Sequence, residues 1–153
     1  MRRIIYRSVA SPDLDRAEMF RLLYQARVAN EARGLNGLLM RADDYLLQVL
    51  EGPTWKLVAT FATIRRDPRH TNVEVIDERT IPQATYPACP MRYFDNRHIA
   101  EALKFLNEQT EGAVPRPIED AVRDFFVESF AAPRGRVSPL PPGAGPPSSP
   151  RPC

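Results

Sequence analysis

The stretch "NGLLMRADDYLLQVLEG", Asn36 to Gly52, decides the architecture. Two apolar runs flank Ala42-Asp43-Asp44, and such runs around a short polar break predict a β-hairpin. The second run, "YLLQVLEG" (Tyr45 to Gly52), contains one carboxamide, Gln48. An unpaired amide in a buried strand costs roughly 1–3 kcal/mol. Gln48 therefore requires a partner, either in the protein or on a ligand.

Working outward, "RRIIYRSV" (residues 2–9) predicts a strand before the hairpin. Ser11 and Pro12 read as the N-cap and first position of a helix that runs to about Arg33, where Gly34 stops it. Met19, Leu23, Ala26 and Asn30 fall on one face of that helix. After the hairpin, Pro53 or Thr54 opens a second helix with the stripe Leu57, Phe61 and Ile64. "RRDPRH" ends it, because Pro68 restricts Asp67 and breaks the hydrogen-bond ladder. "NVEVIDERTI" alternates as a strand does, and "PACPMRYF" reads as a last short strand near a sheet edge, between prolines.

The order β-α-β-β-α-β-β predicts an α+β fold, a ferredoxin-like and mostly antiparallel sheet with two helices on one face. Strand parity assigns Ile5, Leu39, Leu47 and Val49 to the other face, which is too apolar to leave wet. The stripes Ile99, Ala102, Leu103, Leu106 and Ile118, Val122, Phe125, Phe126, Phe130 supply a cover. Two C-terminal helices are expected on that face, or in a subunit contact. The chain divides into residues 1–95 for the sheet unit, 96–131 for the helical cap, and 132–153 for a Pro-rich tail expected to be disordered.

Composition narrows the function. The chain has 153 residues, with 21 basic and 19 acidic side chains and a net charge of +2. That balance argues against nucleic acid as a partner. No apolar run approaches the roughly 18 residues of a membrane span. "MRRIIYRSVA" makes a poor signal peptide, and Cys89 and Cys153 do not form a disulfide framework, so a reduced, cytoplasmic setting is expected.

Parity also gathers polar groups on the helix-facing side of the sheet. Tyr6 is in phase with Ile4 and Ser8, Gln48 with Leu46 and Leu50, and Met91 with Cys89 and Tyr93. Asn30 lies on the core stripe of the first helix. A phenol, two carboxamides and a thioether beside an apolar slot suit a flat heteroaromatic ligand with both donor and acceptor edges. Each residue also has a plainer reading: Tyr6 as a strand aromatic with a wet hydroxyl, Asn30 as a C-terminal helix residue bonding a carbonyl, Gln48 as bonded to a neighbouring backbone group, Met91 as core filler, His70 as a solvated loop residue.

"YRS", "ARVAN", "GLLM", "LQVLEG" and "IRRDPRHTNVEV" together resemble the BLUF family, the flavin-binding blue-light sensors, over residues 2 to about 95. The resemblance implies a ferredoxin-like fold with non-covalent FAD, or FMN, between the two helices. It implies a photoactive pair in Tyr6 and Gln48, a flavin-edge asparagine in Asn30 and the strand methionine in Met91. Asp67, Arg69 and His70 of "DPRH" and Ser8 complete the expected flavin contacts, with Arg69 facing a ring carbonyl. Many members carry Trp where this chain has Cys89, so a Trp-flip route of signalling cannot operate here; Cys89 is expected to be a buried filler thiol.

The implied protein is a switch and not an enzyme. It has no room for a catalytic output domain, so it acts through its C-terminal helices on a partner protein, and is expected to be a homo-oligomer. A small acylphosphatase-type enzyme would want a Gly-rich phosphate cradle, which is missing. A flavin-free interaction module remains the other alternative, and the colour of the purified protein separates it from the sensor.

Overall fold

The hairpin forms as strands β2 (Asn36–Ala42) and β3 (Tyr45–Gly52), with Ala42 paired to Tyr45 and only Asp43-Asp44 in the turn. Asp43 takes φ 53° there. Aspartate tolerates this left-handed conformation better than most side chains, because it can bond locally to the backbone. The computed structural model describes residues 1–95 and 97–131, without the side chains of Ile99 and residues 128–131. The expected tail, 132–153, lies outside the described residues, and so does the side chain of Phe130 in the last stripe.

The remaining elements are β1 (Arg2–Ala10), α1 (Arg16–Arg33), α2 (Thr54–Ile64), β4 (His70–Thr80), β5 (Arg92–Phe94), α3 (Ile99–Gln109) and α4 (Arg116–Ala131). The sheet order is β4-β1-β3-β2-β5, antiparallel except for the β2–β5 edge pair. This is the expected ferredoxin-like plan with a fifth strand added in parallel.

The start of α1 differs from expectation. Ser11 and Pro12 lie in a turn, with Leu14 N–H donating to the Ser11 carbonyl at 2.9 Å. Asp15 is the cap, its carboxylate accepting from Glu18 N–H at 2.9 Å. A carboxylate at that position satisfies an orphan amide and favours the positive end of the helix, so it outcompetes the earlier Ser-Pro signal. Gly34 ends the helix as expected, at φ 65°.

The sheet separates two apolar layers. On the front, Ile4, Tyr6 and Leu50 pack with Leu57 and Phe61 of α2, while Leu39, Leu46 and Met91 pack with Met19 of α1. On the back, Ile5, Leu38, Met40, Leu47 and Val49 pack beneath Ala102, Leu106, Ile118, Val122 and Phe125. The C-terminal helices thus cover the sheet, as the stripes required. Each fully buried aliphatic side chain contributes about 1.5–3 kcal/mol.

Leu39 was expected on the back and lies on the front. It pairs directly with Gln48, and residues opposite one another across antiparallel strands share a face.

The connection from β4 to β5 is pinned at several points. Glu51 is fully buried and accepts from Arg3 Nε at 2.7 Å, Thr85 N–H at 2.6 Å and Thr85 Oγ1 at 2.7 Å. Tyr86, also fully buried, donates its hydroxyl to the Val49 carbonyl at 3.1 Å. Asn36 Oδ1 accepts from Cys89 N–H at 3.1 Å, and Gly37 N–H donates to the Cys89 carbonyl at 3.0 Å. These bonds deliver Pro90 and Met91 to the front of the sheet.

Candidate ligand cavity and its polar network

Tyr6 and Gln48 meet because β1 and β3 place them directly opposite. The Tyr6 hydroxyl donates to Gln48 Oε1, and Gln48 Nε2 points to Met91 Sδ at 3.9 Å. Both are buried, with Phe61 tilted over the Tyr6 ring at 5.1 Å between centroids. Burial, then the nearby negative charge of Asp67, pushes the Tyr6 phenol well above its ordinary range. The phenol is therefore neutral at physiological pH, and keeps its proton for the bond to Gln48.

Asn30, in the last turns of α1, donates from Nδ2 to the Pro90 carbonyl at 2.7 Å. Gly37 makes this convergence possible. A Cβ at Gly37 would sit 3.0 Å from each of Asn30 Nδ2, Met91 Cε and the Pro90 oxygen. The glycine clears space for three groups that come from α1 and the β4–β5 connection.

These side chains line a cavity of about 300 Å³ between α1, α2 and the sheet. That is the size at which ligand pockets begin, roughly 300–1,000 Å³. Tyr6, Ser8, Asn30, Gln48, Asp67, Arg69, His70 and Met91 all lie on its wall. Leu22, Leu39, Leu46 and Ile64 supply apolar wall, and Thr60 of α2 adds a hydroxyl. Thr60 was missed in the sequence. Its signal is a polar residue one position before Phe61 on a buried stripe, the same kind of signal that Asn30 gives.

The chemistry of the wall tests whether a flavin fits. Ser8 Oγ, Thr60 Oγ1 and His70 Nδ1 are buried with no hydrogen-bond partner among the described residues. Orphaned buried polar atoms are costly, and three of them on one cavity wall call for a ligand that carries donors and acceptors. His70 Nε2–H donates to the Ile64 carbonyl at 2.9 Å, so the neutral ring presents Nδ1 as an acceptor. Burial holds the His70 imidazole below its ordinary value and keeps it neutral. An apolar slot with two hydroxyls and an imidazole acceptor fits the flat, polar-edged flavin ring.

Arg69 sits differently from the sequence expectation of a fork aimed at a ring carbonyl. Its Nε and Nη2 grip the Asp67 carboxylate at 2.6–3.0 Å, and Nη1 donates to Gln25 Oε1 at 3.0 Å. This hydrogen-bonded pair holds Asp67 below the usual carboxylate range. Through Gln25 the pair links the turn after α2 to α1 on the cavity wall.

Cys89 belongs to the back layer, buried with Leu38 and Ala102, and not to the front with Met91. Tyr93 does share the front with Met91. The parity reading assumed a strand through residues 89–93, whereas β5 begins only at Arg92. Residues before it follow the pinned connection and not a pleat.

Among the described residues no helix is long and apolar enough to cross a membrane, and no group of three His, Cys, Asp or Glu could hold a metal ion.

Residues 1–92 match the family described as BLUF, sensors of blue-light using FAD. BlrB, a BLUF protein solved in its dark state, has the same fold, with a TM-score of 0.66 at 24% identity over 83% of this chain and 96% of that one. The BLUF structure of BlrP1 is 28% identical with a TM-score of 0.67, covering 88% of this chain and 92% of that one. Klebsiella pneumoniae BlrP1 with FMN and cyclic diGMP gives 0.70 at 26% identity, over 81% of this chain and 35% of that one. Among curated proteins, photoactivated adenylate cyclase subunit beta of Euglena longa is 31% identical over 85 residues, 56% of this chain. The chain spans about 10% of the length of the curated relatives it matches.

Proposed function

The chain belongs to the BLUF family, the sensors of blue light that use FAD, and from that premise we propose that Tyr6 and Gln48 form its light switch. The observation that carries this reading is the buried Tyr6–Gln48–Met91 chain of contacts on the wall of the cavity. Asn30, Ser8, Thr60, His70 and Met91 would hold the flavin ring, and the Asp67–Arg69 pair would close over its exit. FAD is the family's flavin. FMN carries the same ring and would meet the same wall.

When bound, the flavin supplies blue-light absorption and an excited state oxidising enough to draw an electron from a nearby phenol. Tyr6 is the donor, because its phenol is neutral and its proton already points at Gln48 Oε1. Gln48 has an acceptor at one end of its amide and a donor at the other. Rotation of that amide would exchange which end faces Tyr6 and which faces Met91 and the cavity. The two positions differ in hydrogen bonds, and that difference bounds the signal the protein can send. Met91 touches the amide and leads directly into β5, so it is the first residue outside the pair to sense the rotation.

No bond of a substrate is made or broken in this cycle, so the chain acts as a sensor and not as a catalyst. Residues 1–95 form the sensing unit and 96–131 the helical output that meets a partner protein in the cytoplasm. The name of one relative, photoactivated adenylate cyclase subunit beta, of which this chain matches about 10%, supports a light sensor that passes its signal to an effector.

The test is Tyr6→Phe. The ring still packs on Phe61, so flavin binding is retained and the purified protein stays yellow. The light-induced red shift disappears, because the hydroxyl is gone. A variant that still forms a normal red-shifted state overturns Tyr6 as the donor.

A further inference from the structure

On α1, Phe20, Tyr24 and Val28 are 73%, 67% and 50% exposed. Their spacing of four places them in one stripe along the outside of the helix. A row of three large apolar side chains facing water is a feature of surfaces that meet a partner. None of the three lies on the cavity wall.

The charges around the stripe identify the partner. Residues 16–33 and 54–69, which form the front helical layer, hold eight basic and three acidic side chains. Residues 99–131, the back layer, hold three basic and seven acidic ones. The molecule is polarised across its sheet, although its net charge is only +2. The outer side of α4 carries its own stripe of Asp120, Asp124 and Val127, all exposed, with Val127 at 65%. The two helices are matched in length, at 18 and 16 residues, or about 27 and 24 Å.

We propose that the α1 stripe docks on the outer face of α4 of a second copy of this chain. Arg16 and Arg27 flank the stripe and meet Asp120 and Asp124, while Tyr24 and Phe20 cover Val127. A symmetric contact of α1 with α1 would set arginine rows against each other. The two docking faces lie on opposite sides of the sheet, so each copy keeps one face open after pairing. The contact is head-to-tail, and it grows with concentration instead of stopping at two. One helix against one helix buries little area, so the association is weak and salt-sensitive.

The experiment is sedimentation velocity on the flavin-loaded full chain in the dark. The average mass is expected to rise with protein concentration at low ionic strength and to fall toward the monomer at high salt. Tyr24→Ser with Arg27→Glu, and separately Asp120→Arg with Asp124→Arg, should each weaken self-association by at least about tenfold. An unchanged flavin spectrum shows that each variant is folded. Mixed in equal amounts, the two variants should form a species of twice the chain mass that does not grow further, since each retains the face the other needs. A wild-type chain that stays monomeric at low salt overturns the proposal. So does a pair of variants that fails to combine, or a variant that associates as the wild type does. The photocycle reports on Tyr6 and Gln48 independently, so failure here leaves the sensor reading untouched.

Discussion

Removing the Glu51 carboxylate should be among the most damaging single changes outside the cavity. Glu51 is fully buried and Arg3 is 4% exposed, so neither charge has water to fall back on. In Glu51→Ala the Arg3 guanidinium loses its counter-charge at 2.7 Å, and Thr85 N–H loses its acceptor at 2.6 Å. Breaking a buried ion pair from one side costs about 3–5 kcal/mol. For a fold of this size about 1 kcal/mol moves the melting temperature by roughly 2–8 °C, so the loss should exceed about 6 °C. Urea unfolding followed by circular dichroism gives the free energy directly. The informative control is Arg3→Met with Glu51→Leu, which removes both charges and fills the space. It should recover most of the loss, because the penalty comes from the stranded charge and not from a missing attraction. If Glu51→Ala costs under about 1 kcal/mol, the pair is solvated in solution and the reasoning fails.

Three further outcomes follow from the cavity. Gln48→Leu should bind flavin and show no light-minus-dark difference spectrum, since leucine fills the slot without a donor or acceptor; a wild-type difference spectrum removes Gln48 from the switch. Gly37→Ala should weaken flavin binding and lower stability by about 1–3 kcal/mol, as overpacking against Asn30, Met91 and Pro90 does, and an unaltered flavin titration would show that the three can move apart. His70 should make stability pH-dependent. The folded protein holds its imidazole below the ordinary value near 6.5, so between the two values the unfolded chain binds more protons. Stability then falls as pH drops below about 6.5, and His70→Gln should flatten that slope; an unchanged slope would assign it to another group.

Residue type and spacing revealed the sheet plan and put Tyr6 and Gln48 on one face, because β1 and β3 alternate clearly around their polar members, and the family resemblance made them a pair. They failed where alternation is absent. "GLLM" offers no polar residue to set its phase, so Leu39 went to the wrong face until the register with Gln48 fixed it. Cys89 was misplaced because "PACP" looks like strand and is in fact a connection held by side-chain bonds from Asn36 and Glu51. Such bonds join residues more than thirty positions apart, and no local pattern announces them. The Asp67–Arg69 pair illustrates a different limit: a short motif gives the residues but not which of them claims the guanidinium first.

The division of the sheet into front and back layers has a practical consequence for anyone who would transplant the light sensor. The family match ends at residue 92, and a cassette cut there would carry the cavity intact. It would also carry Ile5, Leu38, Met40, Leu47 and Val49 stripped of the helices that roof them. A recipient protein must therefore bring its own roof. If the output runs through the back layer as proposed, the helix it brings is the part that reads the switch, so choosing the roof is the same act as choosing the response.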